Sequence, residues 1–241
     1  MKLYFEKLPK GEQSSINFYA AETAFIQMGF EMLEYNEAEQ IQESNIAVGR
    51  IRFIYELLTK QGIPIPSPLD YPDALKAFLG RNIWESTINT ISNQPDNWNV
   101  FVKPKGLTKK FTGKLIQNTS DLIGMGDRTV DTPVWVSEPV NFLAEWRVFI
   151  RYGRILGVRP YKGDWRCQYD AAVIQKAVDA YIYAPNGYAL DFGLTSDGRT
   201  LLVEANDGYA LGFYGLFYID YAKLLSARWA QLTGQEDLCN F

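Results

Sequence analysis

The chain contains no histidine. That absence excludes a Ser-His-Asp triad, a Cys-His pair and the common histidine-bearing zinc sites. Any catalysis must therefore rest on carboxylates, lysines, arginines and a hard metal. Cysteine is nearly as scarce. Cys167 and Cys239 form neither a disulfide framework nor a CxxC pair, and a reduced, cytoplasmic setting is expected. No apolar run of about 18 residues occurs, so no membrane partner is expected. The stretch MKLYFEKLPKGEQ lacks the apolar core of a secretion signal. There is no GxGxxG stretch and no P-loop: six residues separate Gly106 from Gly113 where a P-loop has four, and Leu115 stands where its metal-binding Ser/Thr would be.

What is present is ample for folding. The 241 residues are 47% hydrophobic, enough for one large domain or two closely packed smaller ones. The net charge of −4 disfavours nucleic acid as a partner, a point that salt-dependent binding would test. The charge is uneven, however. Lys103, Lys105, Lys109, Lys110 and Lys114 follow one another with no intervening acid, and Arg147, Arg151, Arg154, Arg159, Lys162 and Arg166 face only Asp164. Two basic blocks in an acidic chain point to a local anionic ligand. Solvated surface charge is the alternative for any single lysine.

Periodicity divides the chain into two textures. KLYFE and FEMLEY read as strands. Residues 13–29 read as a helix with Ile16, Tyr19, Ala20, Thr23 and Ile26 on its apolar face, and 47–61 as a second helix, with Val48, Ile51, Tyr55 and Leu58 on one face and Gly62 as its stop. IPIPSPLDYP is a linker or extended edge, helices follow over 72–92, and SNQPDNWN is a loop at a domain boundary. Hairpins dominate thereafter. NVFVKPKG and GKLIQN flank a lysine-rich loop, EWRVFIRYGRILGVRPY turns at Tyr152-Gly153, and YALDFGLTSDGRTLLVEAN turns at Asp197-Gly198. A helix over 218–233 follows. The expected class is α+β, with a small α/β domain over 1–95 and a second domain over 96–241.

A two-residue turn at Asp197-Gly198 would set Ser196 against Arg199 and hence Asp191 against Glu204, with Asn206 on the same face. Leu190, Phe192 and Leu194 would meet Leu201, Val203 and Ala205 on the core face. Two carboxylates opposed across a ladder repel each other unless a cation lies between them. Three hard oxygen ligands on one face suit Mg²⁺ (or Mn²⁺) shared with a phosphate. A solvated polar sheet face is the alternative.

With these pieces in order, residues 98 to 215 resemble an ATP-grasp protein: antiparallel sheets and helices clasping a nucleotide. VFVKP resembles the strand whose lysine, here Lys103, touches nucleotide phosphates. KKFTGK resembles the covering lid, placed at 104–114, with Lys114 as a second phosphate lysine. VWVSEPV resembles the adenine-receiving hinge, which brings in Glu138 and Val140. AEWRVFI resembles the strand with a ribose-region glutamate and an active-site arginine, here Glu145 and Arg147. VRPYKGDWR resembles the arginine-bearing hairpin of glutamate-adding ligases, with Arg159 and Arg166. LDFGLTSDGRTLLVEAND resembles the metal signature and places it on Asp191, Glu204 and Asn206. The run FTGK, EWRVF, LDFG and VEANDGYALGFYG is similar to a clade named for an active-site arginine and two lysines, within which FLGRNIWES contributes Arg81 as a phosphate contact.

The resemblance implies an ATP- and Mg²⁺-dependent ligase that joins a carboxylate to an amine through an acyl phosphate. Its substrates would be an unidentified carboxylate and an unidentified amine, the latter an amino acid, peptide or protein. Arg147, Arg159 and Lys114 would act on the transferring group. Two alternatives share the fold: an ATP-dependent phosphotransferase, and a non-catalytic adenine-nucleotide module. The tail DGYALGFYGLFYIDY would pack beside the metal residues, with Tyr209, Phe213 and Tyr214 as pocket or core.

Overall fold

The computed structural model describes residues 1–8, 15–35, 45–106, 111–126 and 130–241. Its strands form three sheets. The first is parallel, with β1 (Lys2–Phe5) between β2 (Glu31–Glu34) and β3 (Asn45–Val48). The second is antiparallel in the order β4 (Ile83–Thr87), β7 (Pro133–Ser137), β5 (Val100–Pro104), β6 (Lys114–Ile116). The third is also antiparallel, in the order β11 (Thr200–Asp207), β10 (Gly187–Thr195), β8 (Phe142–Arg151), β9 (Arg154–Gly163). The helices are α1 (Ile16–Gln27), α2 (Ile51–Lys60), α3 (Ile88–Ser92), α4 (Ala171–Ala180) and α5 (Tyr218–Thr233). The α+β class and the paired antiparallel sheets match the expectation from sequence.

Several local readings change. Ala47 and Val48, expected as the start of the helix over 47–61, belong instead to β3, which is buried throughout and pairs with β1 along its whole length, and α2 begins at Ile51. The apolar stripe of α1 is rotated: Ile16, Tyr19 and Ile26 are exposed, while Ala20, Ala21, Ala24 and Phe25 are buried. The small residues belong to the core that α1 shares with the first sheet and α5. The expected start of α1 at residue 13 lies outside the described residues. The helices expected over 72–92 are instead a 3₁₀ turn (Asp73–Phe78), strand β4 and the short α3. Gly80 breaks the helix at φ +59°, and Ile83–Thr87 pair with β7. A boundary at residue 95 thus cuts between β4 and its partner in the second sheet.

Three cores hold the sheets. One joins the first sheet, α1 and α2 to α5 and to Phe149 and Ala189 of the third sheet. The second lies between α4 and the third sheet, around Val148, Leu190 and Phe192. The third backs the second sheet, around Val102, Ile116, Val134 and Val136. Alternation then sends Lys103 and Trp135 to the opposite face of that sheet.

The two hairpin turns have different chemistry. Tyr152 (φ +48°) and Gly153 (φ +70°) are both left-handed, and Arg151 pairs with Arg154, so this is the expected two-residue turn. The turn at Asp197-Gly198 is one residue longer than expected. Thr195 N–H donates to the Arg199 carbonyl and Gly198 N–H to that of Thr195, and Leu194 pairs with Thr200. A bulge at Val203 then restores the lost residue, pairing Phe192 with Leu202 and Asp191 with Glu204. The expected carboxylate pair therefore forms, but by two compensating irregularities. Leu202, not Leu201, joins Phe192 in the core, and Val203 is the bulged residue.

Candidate active site

One residue from each strand of the third sheet forms a single cross-strand row. Glu204 on β11 faces Asp191 on β10, Asp191 faces Arg147 on β8, and Arg147 faces Arg159 on β9. The row runs from two acids to two guanidinium groups. Arg147 grips Asp191 with Nε at 2.8 Å and Nη2 at 2.7 Å, and both residues are buried. Burial pushes the Asp191 carboxyl up; Arg147 opposes the rise through its hydrogen bonds and charge, and Glu204 and Glu145 add to it. Arg147 also lies 4.7 Å from the ring of Tyr214. The Arg159 Nε is buried and has no hydrogen-bond partner among the described residues. Facing arginines with an orphaned N–H suit an anion between or above them.

The expected metal ligands converge. The Asn206 side-chain amide reaches Asp191 at 3.2 Å and Glu204 at 3.3 Å. It donates to both carboxylates through Nδ2. Rotating the amide by half a turn would present its oxygen instead and complete an all-oxygen donor set. Two carboxylates and an amide oxygen fit Mg²⁺.

Lys103 crosses from the second sheet to this row. Its Nζ donates to Glu204 at 2.8 Å and to Asp70 at 2.9 Å, and lies 4.4 Å from the ring of Tyr71. Burial works against the charged amine, but Glu204, Tyr71 and Asp70 outweigh it and hold the Lys103 pKa above its ordinary value. Glu145 accepts from Tyr161 at 2.7 Å and from Lys162 at 2.5 Å. Lys103, Glu145, Arg147, Arg159, Asp191, Glu204 and Asn206 are thus gathered at the facing sides of the two antiparallel sheets.

Four other expected residues are engaged elsewhere. Lys114 pairs with Val102, on the core face of the second sheet and opposite Lys103, and donates to the Asp121 carbonyl at 3.1 Å. Arg81 donates to the carbonyls of Leu79 (3.0 Å), Leu202 (2.8 Å) and Val203 (3.0 Å), so its guanidinium clamps the β11 bulge. Glu138 accepts from the backbone and side chain of Asn82 at 3.0 and 2.9 Å, which hold its carboxyl below the ordinary range. Arg166 is exposed and pairs with Asp164 at 2.6 Å. Glu138 and half-buried Val140 do lie on the connection between β7 and β8, which links the two antiparallel sheets. Of the lid, Lys109 and Lys110 fall outside the described residues. Phe213 packs against the first core, as does Tyr209, whose hydroxyl lies 2.6 Å from that of Tyr55.

Sequence reasoning missed Asp70, Tyr71 and Trp135. Only the alternation of β5 and β7 could have signalled Trp135. Lys105, noted in the basic block without a role, lies 4.9 Å from the Trp135 ring and pairs with Glu85 at 2.5 Å. It faces the same side as Lys103.

Residues 78–224 match the family described as ATP-grasp domain, R2K clade family 2. No curated protein matches. Solved structures share the fold at low identity. D-alanine–D-alanine ligase from Bacillus anthracis is 14% identical, with a TM-score of 0.57 over 97% of this chain and 98% of that one. N5-carboxyaminoimidazole synthetase from Staphylococcus aureus, complexed with ADP, is 13% identical, with a TM-score of 0.59 over 98% and 78%. The macrocyclase MdnC from Microcystis aeruginosa, bound to a precursor peptide, is 12% identical, with a TM-score of 0.53 over 94% and 100%. Among the described residues, no helix is long and apolar enough to cross a membrane.

Proposed function

The chain belongs to the ATP-grasp domain family of the R2K clade, family 2, and from that premise we propose that it is an ATP- and Mg²⁺-dependent ligase forming a C–N bond through an acyl phosphate. The row Glu204–Asp191–Arg147–Arg159 carries the reading. It offers metal ligands at one end and anion-binding guanidinium groups at the other, with an amine, Lys103, reaching over from the facing sheet.

Asp191, Glu204 and Asn206 would hold Mg²⁺, which would supply charge neutralisation at the phosphates. Lys103 binds phosphate once freed from Glu204. Arg147, fixed by Asp191, and Arg159, with its unused N–H, stabilise charge on the transferring phosphoryl group and on the carboxylate that attacks it. Loss of ADP leaves an acyl phosphate. The amine then attacks its carbon, releasing inorganic phosphate and a proton. No step needs a side-chain nucleophile or a histidine. Arg81 supports the site by holding the bulge that turns Glu204 inward. The substrates are an unidentified carboxylate and an amine, with amino acids and peptides the classes to screen first, because two of the structural neighbours are named for a dipeptide ligase and a peptide macrocyclase.

The test is ADP release over panels of amino acids, peptides and nucleotide metabolites in the presence of hydroxylamine. The ligase reading expects a hydroxamate of one carboxylate. A stable phosphorylated product without hydroxamate would replace it with a phosphotransferase, and nucleotide binding without turnover on any panel member would leave a nucleotide-binding module.

A further inference from the structure

Asp70 belongs to the proline-rich segment between the first sheet and the second, yet it is fixed at the centre of the site. One carboxylate oxygen accepts from Lys103 Nζ at 2.9 Å and the other from the Trp135 indole N–H at 3.0 Å. Its carbonyl accepts from Ala205 N–H at 2.9 Å, between the two proposed metal ligands Glu204 and Asn206. Its backbone is left-handed, at φ +42°. Aspartate tolerates that conformation at a cost, so the surrounding bonds hold it there. Tyr71, the next residue, packs edge to face on Trp135, with ring centroids 5.3 Å apart, and covers Lys103.

We propose that Asp70 is a built-in counter-ion of the nucleotide site: pinned by Trp135 and by β11, it occupies Lys103 so that nucleotide binds as its metal complex and not in the metal-free form. This rests on the nucleotide reading above. With Asp70, Glu204 and the Tyr71 ring all on the Lys103 ammonium, a phosphate must displace one of them to reach it. Asp70 and Glu204 are two carboxylates on one ammonium, so a metal-free polyphosphate reaching for Lys103 meets their combined repulsion. When Glu204 turns to a divalent cation, the ammonium loses one partner and becomes available. Asp70 remains beside it and fixes its position. Repulsion from Asp70 scales with ligand charge. Its removal therefore favours metal-free nucleotide more than the less negative magnesium complex.

Calorimetric titration with ADP, in excess Mg²⁺ and in EDTA, tests this on the wild type and on Asp70→Asn, which keeps an acceptor for Trp135. The variant is expected to bind metal-free ADP about tenfold more tightly and to gain less for Mg·ADP, so the preference for the complex narrows. Asp73→Asn, which removes an exposed charge paired with Lys76, should keep the wild-type preference. Asp70→Ser provides the same readout if the Asn variant melts below the assay temperature. An unchanged preference, or equal losses for both forms of ADP, overturns the proposal, the second outcome marking Asp70 as scaffold alone. A wild type that binds ADP under neither condition overturns the nucleotide reading and the Asp70 role with it.

Discussion

Replacing Arg81 with methionine separates two roles that sequence and structure assign differently. The resemblance makes Arg81 a phosphate contact. The geometry makes it a clamp on the β11 bulge, with N–H donors 3.0, 2.8 and 3.0 Å from the carbonyls of Leu79, Leu202 and Val203. Methionine keeps the apolar stem and removes all three bonds. At about 1 kcal/mol net for each bond in this half-buried setting, the loss is about 3 kcal/mol. For a chain of this size that lowers Tm by about 6–12 °C. The bulge also sets which face Glu204 occupies, because slipping one residue would exchange it with its neighbour. Thermal melts should show the fall, while nucleotide affinity measured below the transition changes by less than about threefold. A melt within about 2 °C of wild type, paired with a loss of affinity of about tenfold or more, would refute the clamp and restore the phosphate contact.

Other variants probe the row and its frame. Asp191→Asn leaves Arg147 buried beside a neutral partner and should cost about 3 kcal/mol in urea unfolding; it and Glu204→Gln should both abolish the Mg²⁺-dependent part of the thermal shift produced by ATP, and an intact shift in both would sink the metal assignment. Burial raises the Asp237 carboxyl, but Ser226, Arg151, the Cys239 N–H and Tyr152 together hold it below the ordinary aspartate value. Its stabilisation is therefore full above the unfolded pKa of about 3.9 and is lost as pH falls through the lower folded one. Asp237→Asn should be less stable than wild type at neutral pH and converge with it in acid, and a constant gap from pH 7 to 2 would contradict this. Gly208→Ala would put its Cβ 2.2 Å from the Gly187 carbonyl oxygen and should destabilise by about 1–3 kcal/mol in the same melts.

The hairpins were legible because their turns and alternation are local. Tyr152-Gly153 announces a two-residue turn and makes one, and α5 spans the predicted 218–233. The opposition of Asp191 and Glu204 was legible for an incomplete reason: the longer turn and the Val203 bulge cancel, and neither is visible in the pattern of apolar residues. Arg147 and Arg159 could be named from motif likeness, but their place in one row with the acids depends on the order of strands, which is long-range. Asp70 could not be found at all. It sits in a segment that reads as linker, and its importance arises from Lys103 and Trp135, contributed by strands 33 and 65 residues further on. The rotated stripe of α1 failed for a related reason, since packing against the first sheet and the distant α5, not side-chain hydrophobicity, selects the alanine side.

The first core has a consequence for how the chain comes to be folded. It unites Leu3, Ile46 and Leu58 with Tyr221, Leu225 and Trp229, and the Trp229 indole donates to the carbonyl of Asn45 at 2.9 Å. The parallel sheet is made well before its covering helix, with 184 positions separating Asn45 from Trp229. During translation the exposed apolar side of that sheet must wait for the intervening residues, an arrangement of high contact order that slows folding and invites aggregation. Once α5 docks, it seals the early strands and, through Phe149 and Ala189, one end of the same sheet face that bears the charged row. Assembly of the row and closure of the core are then one cooperative event, so partly made chains would lack both.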